Sequence, residues 1–170
     1  MAAMWHRLDV FARRLIPAGL SFVLVMLTVV PLPFPGFGTI VPMLALGSVF
    51  FWAVHYPSLL PPAVVFTIGL VQDVLTGALF GSGAVVLLLA YGAVVSQRIF
   101  FRNKSFLVIW WSFMIVAFGA GALAWALASL FSVHVIPPVP ALYQVLVTIA
   151  VYPLLTVILH GVHKFLPRED

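Results

Sequence analysis

The sequence predicts an all-α integral membrane protein with six transmembrane helices, and three observations carry that reading. Only 7% of the residues are charged and 64% are hydrophobic, whereas a soluble domain carries roughly 25% charged residues. No Asp, Glu, Lys or Arg stands between Arg14 and Asp73. As one helix that apolar run would be about 87 Å long, against a hydrocarbon core of about 30 Å, so it has to fold back on itself. The eight basic residues fall in three segments only: the N-terminus, residues 98–104 and the C-terminal tail. Six spans put all three on one side, which is the positive-inside pattern with both termini cytoplasmic.

The breakers in the chain divide it into elements. Residues 1–14 hold Trp5, Leu8 and Phe11 at steps of three beside Arg7, Asp9, Arg13 and Arg14, as on an interfacial helix. The apolar run after them reads as an uncleaved signal anchor, helix 1, over about 15–31. Pro31, Pro33, Pro35, Gly36 and Gly38 mark a turn. Helix 2 follows over about 39–56. Tyr56, Pro57, Ser58, Pro61 and Pro62 mark the next turn, with Ser58 a possible cap and the prolines suited to a first turn. Helix 3 covers about 60–80, Gly81-Ser82-Gly83 is a tight turn, and helix 4 covers about 83–97.

Arg98, Arg102 and Lys104 then form a basic loop rimmed by Phe100 and Phe101. Helix 5 covers about 105–133, with Trp110 and Trp111 near its start, where aromatic belts form. His134 to Pro140 is a proline-rich turn, and helix 6 covers about 141–161. Neither a repeat nor a linker interrupts the chain, so residues 1–170 read as a single domain.

Helix 3 holds most of the information. Asp73 is the only acidic residue between Asp9 and Glu169. Gly69, Gly77 and Gly81 stand around it at steps of four, which in a continuous helix places all four residues on one face. Gln72 and Thr76 lie at the edge of that face. Ile68, Val71, Leu75 and Ala78 form the other. A charged group at this depth costs about 2.5–3.5 kcal/mol if it faces lipid, so the glycine face turns into the bundle. Glycines admit a neighbouring backbone. Asp73 either anchors a site or partner contact, or is a packing residue bonded to a neighbouring helix. Helix 5 carries a second small-residue stripe, Ala117, Ala120, Gly121, Ala124 and Ala128, which packs within the monomer or forms a dimer face.

Several chemistries have no residues to support them. The chain has no cysteine, which excludes disulfides, iron–sulfur clusters and thiolate zinc sites. Paired carboxylates, a helical zinc motif and a phosphate-binding loop are missing. His160 and His163 are three apart but lack a third ligand; His6, His55 and His134 lie near predicted helix ends. The expectation is therefore no catalytic residue, no cofactor and no metal. The net charge of +4 is read as basic residues at a membrane surface, with no nucleic-acid partner.

The pattern Gly69-xxx-Asp73-xxx-Gly77-xxx-Gly81 resembles the signature of the MreD family of rod shape-determining membrane proteins. Pro42, Trp52 and Pro57 around helix 2 and the segment Phe100-Phe101-Arg102-Asn103 add to the likeness, which covers nearly the whole chain. The resemblance implies a multi-pass protein of the bacterial inner membrane. Its implied role is non-enzymatic, a scaffold or regulator of lateral peptidoglycan synthesis. Its implied partners are MreC and, through it, MreB, RodZ, RodA and a class B penicillin-binding protein. The family is similar in fold to the substrate-binding S components of energy-coupling-factor transporters, which implies an S-component-like bundle and supplies the rival function, vitamin or small-molecule binding. An Ala-xxx-Ala docking motif typical of S components is missing from helix 1, where Phe22 follows Ala18.

The charge asymmetry makes a topological prediction. Reporter fusions placed after His134 and after Asp170 are expected to report opposite sides of the membrane. The same side for both removes the last span.

Overall fold

A computed structural model describes the backbone of residues 2–29, 32–34 and 38–164; side chains are described from Leu15 onward, except at residues 30–39 and at His163. The interfacial arrangement of Trp5, Leu8 and Phe11, a pairing of His163 with His160, and the tail beyond Lys164 lie outside the described residues.

The chain is helical apart from one short hairpin. In order it forms α1 (Ala2–Leu27), β1 (Leu32–Phe34), β2 (Gly38–Ile40), α2 (Leu44–His55), α3 (Pro62–Thr76), α4 (Ser82–Ser96), α5 (Arg98–Phe101), α6 (Phe106–Phe131) and α7 (Pro138–His163). The strands pair antiparallel with Leu32 opposite Ile40 and Phe34 opposite Gly38. Phe106–Phe131 and Pro138–Val162 are long and apolar enough to cross a membrane, at 26 and 25 residues. The helices α2, α3 and α4 are shorter, at 12, 15 and 15 residues.

Several boundaries differ from the sequence expectation, each for a local reason. Helix 1 starts at Ala2, because nothing breaks the chain between the polar N-terminus and the apolar run; Pro17 sits inside it. It ends at Leu27, and the expected start of helix 2 at 39 is instead strand and irregular backbone up to Met43. Pro62 occupies the first turn of α3 behind Pro61, where its missing N–H costs nothing. Ser58 does not cap this helix. Helix 6 begins three residues early for the same reason, with Pro138 in its first turn.

The largest revision is the end of helix 3. It stops at Thr76, not at residue 80. Gly77 turns left-handed with φ +66°, and its N–H and that of Ala78 both reach the Asp73 carbonyl. That is a Schellman-type ending, in which the six-to-one bond closes the helix behind a C′ glycine. Gly81, with φ +95°, stands at the start of α4. Gly77 and Gly81 therefore belong to a turn, and the four-residue face is not one face of a helix. Ile68, expected on the outer side, is fully buried beside Gly69; the exposed side of α3 carries Phe66, Thr67 and Val74.

The core is aromatic at its centre. Phe113 of α6 stacks on Tyr152 of α7 at 4.0 Å between ring centroids. Phe50 of α2 meets both edge-on at 5.1 and 5.7 Å, the T-shaped geometry that ring quadrupoles favour. Within the small-residue stripe of α6, Gly121 packs against α7: a Cβ there would collide with Val145 Cγ2. The helices α1 and α2 are joined by a buried hydrogen bond of 2.6 Å between the Ser21 and Ser48 hydroxyls.

The turn geometry changes what a substitution at Gly77 does. Nothing lies within 4 Å of a Cβ added there, so the cost is left-handed strain of about 1–2 kcal/mol, whatever the side chain. Gly77→Ala and Gly77→Leu are expected to lower the thermal unfolding midpoint equally, and Ala78→Leu, at an exposed position, to leave it unchanged. A loss that grows with side-chain size would mean that overpacking operates there.

Candidate functional site

The site is built on the joint between α3 and α4. Glycine at position 69 lets the two helices touch backbone to backbone: a Cβ there would lie 2.7 Å from the amide nitrogen of Ala84 and closer still to its Cα. One turn on, Asp73 is 2% exposed. Its Oδ2 accepts a hydrogen bond from Gly81 N–H at 2.9 Å, and Gly83 N–H donates to Oδ1 at 2.9 Å and to Oδ2 at 3.1 Å. Gly83 has to be glycine, since a Cβ would collide with Asp73 Oδ1.

Asp73 thus ends one helix and starts the next. Its carbonyl takes the last N–H groups of the α3 turn, and its carboxylate takes the first free N–H groups of α4. The first N–H groups of a helix lack intrahelical partners and carry the positive end of its dipole, so a carboxylate there is favoured on both counts. Caps of this kind contribute about 0.5–2 kcal/mol.

The joint forms part of the wall of a cavity of about 700 Å³. The hairpin and the segment before α2, the end of α6 and the start of α7 supply the rest. Its polar lining includes Thr28, Gln72, Thr76, Ser82, Ser132 and Gln144. Gln72 Oε1 is buried with no hydrogen-bond partner among the described residues. Across the cavity, Gln144 Nε2 donates to Val41 O at 2.9 Å, and Thr148 Oγ1 accepts from Met43 N–H at 2.9 Å. Thr148 Oγ1 in turn donates a hydrogen bond to Gln144 O at 2.6 Å. Trp125 Nε1 donates to Ile136 O at 2.9 Å and ties the end of α6 to the turn before α7.

The structure brings Gly69, Asp73 and Gly81 together at one joint, and Gly77 serves as the end of α3 beside it. Gly83, Ala84, Gln144 and Thr148 complete the site without standing out in the sequence. Gly83 was legible in principle, since an acid followed eight and ten residues later by glycines fits a cap across a tight turn. His55 and His160 come together elsewhere, with ring centroids 5.2 Å apart against Phe51. The His160 Nδ1 pairs with Thr156 O at 2.9 Å. Among the described residues no group of three His, Cys, Asp or Glu could hold a metal ion.

No protein-family model, curated protein or solved structure matches the chain.

The cap predicts an order of damage at position 73. Asp73→Asn keeps one acceptor toward the α4 amides, whereas Asp73→Leu leaves both unpaired at about 1–3 kcal/mol each. The thermal unfolding midpoint is expected to fall modestly for asparagine and much further for leucine. Equal falls would mean that the joint needs the full negative charge.

Proposed function

We propose that the chain is a multi-pass protein of the bacterial inner membrane, crossing it with α1, α2, α3, α4, α6 and α7 and keeping both ends in the cytoplasm. Its work there is that of a non-enzymatic scaffold or regulator of the cell-elongation machinery, held to MreC and through it to the filament and the wall-synthesis enzymes.

The observation that carries the membrane part is how the irregular backbone is satisfied. In a hydrocarbon setting every N–H and C=O must find a partner in the protein, and non-helical backbone is tolerated only where it is buried or lines a cavity. The segment before α2 fits that demand: Val41 O and Met43 N–H are bonded by side chains of α7. The turn between α3 and α4 fits it too, through Asp73. The outer faces agree, with Ile115, Leu154 and Val157 all largely exposed.

The scaffold part is supported by the commitment of Asp73. Its carboxylate is saturated by amides of its own chain, which suits a structural joint and leaves it poorly placed to move protons. The MreD resemblance rests on the same residues. A rival reading, ligand capture by an S-component-like bundle, is favoured by the cavity of about 700 Å³ and by Gln72 Oε1 in its wall, which has no partner among the described residues.

Depletion separates the two. In a rod-shaped host, loss of the chain is expected to widen and round the cells and to leave vitamin uptake unchanged. Normal rods with a lost uptake activity would place the ligand-binding reading first.

A further inference from the structure

A second concavity lies further along α4, between it and α6, and shares Val86 with the first. It has a volume of about 510 Å³ and is lined almost wholly by apolar side chains. The helix α4 and its C-cap line it with Val86, Ala90, Ala93 and Gln97, and α6 with Ser112, Val116, Gly119 and Leu123. Both sets step by four, three and four, so each helix presents one straight stripe. Small residues in the middle of each stripe hollow out the seam. Nothing lies within 4 Å of a Cβ added at Gly119.

The dimensions are those of one leaflet. From Val86 to Gln97, the C-cap of α4, the groove runs over twelve residues, or about 16 Å along the helix axis, close to half of a hydrocarbon core of about 30 Å. Its polar members, Gln97 and Ser112, lie at one end together with Phe100 and Phe101. The same end carries Arg98, Arg102 and Lys104, all exposed. Lys104 Nζ stands 5.1 Å from the centre of the Phe100 ring, so a cation is fixed against a residue that lines the groove. Asp73 is the only carboxylate among the described side chains, and it is held at the other end of α4. The cations at the mouth have no acidic partner among the described residues.

We propose that this groove holds one acyl chain of an anionic phospholipid from the cytoplasmic leaflet, with its phosphate among Arg98, Arg102 and Lys104. The site rests on the membrane reading above. An apolar slot of single-leaflet length fits a chain, and a cationic mouth with no acidic partner among the described residues fits a negative headgroup. A partner helix would fill the same slot but gives no use for three cations in a row.

The test uses the full-length protein extracted from membranes in mild detergent. It is equilibrated with mixed micelles of phosphatidylglycerol and phosphatidylcholine of equal chain length, and retained lipid is counted by native mass spectrometry. The wild type is expected to retain phosphatidylglycerol in preference. Gly119→Leu fills open space in the groove and is expected to lose that retention. Gly92→Leu adds the same bulk to α4 off the stripe, where nothing lies within 4 Å of a Cβ, and is expected to keep it. Replacing Arg98, Arg102 and Lys104 by glutamine is expected to weaken the preference about fivefold per cation while leaving lipid bound.

Equal retention by the wild type and Gly119→Leu, at equal thermal stability, overturns the site. So does a single-pass protein that copurifies in place of lipid and is displaced by Gly119→Leu alone. Release of the chain by alkaline carbonate without detergent overturns the membrane reading and the site with it. A carbonate-resistant chain with no groove-dependent lipid overturns the site alone.

Discussion

The carboxylate of Asp73 is the constraint on which the rest of the bundle depends. Burying it without partners would cost several kcal/mol, more than most single contacts return. The backbone meets that cost in one place, where Gly81 and Gly83 turn their N–H groups toward it. This requires α4 to start within reach of the last turn of α3, and Gly69 permits it by letting Ala84 approach without a side chain between. The position of α4 follows, and α4 lines both concavities, with Val86 in the wall of each. Its first turns meet the cavity beside the joint; its later turns line the lateral groove with α6.

The same economy of polar groups recurs where α2 begins. Residues 41–43 are neither strand nor helix, and Leu44 N–H closes a tight turn onto Pro42 O at 2.9 Å. Two of their backbone groups are bonded to Gln144 and Thr148 of α7. The helix α7 thereby acts as a post: its start holds the unwound segment, and its middle supplies Tyr152 to the ring cluster with Phe50 and Phe113. Paired backbone and stacked rings give the centre of the bundle fixed geometry, while the outer faces of α6 and α7 remain apolar and exposed.

Much of this was legible in the sequence, and the failures have physical causes. The two long apolar helices, the breakers between elements and the inward-facing position of Asp73 all come from composition and spacing. The glycines misled because steps of four look the same on a helix face and across a helix ending. Gly69 is a helix-face glycine; Gly77 and Gly81 are left-handed turn residues, and only the φ angles tell them apart. A step-of-four pattern also hides that Ile68 turns inward, since α3 is covered on more than one side. The hairpin was out of reach because its prolines read as a turn, and the bonds from Gln144 and Thr148 join positions more than a hundred residues apart.

Two glycines of α6 show how little separates packing from vacancy. Gly119 and Gly121 are two residues apart, about 200° around the helix. Gly121 is held against Val145 of α7, where a single methyl would collide. Gly119 has open space before it and lines the groove. The first lets two helices of the bundle close on each other; the second leaves room for something outside the chain. A helix with small residues on both sides gives up packing on one of them, and in a protein interior an unfilled slot forfeits dispersion contacts along its whole lining. Under the lipid proposal an acyl chain lying in the slot restores those contacts, which gives the small residues of α4 and α6 a use.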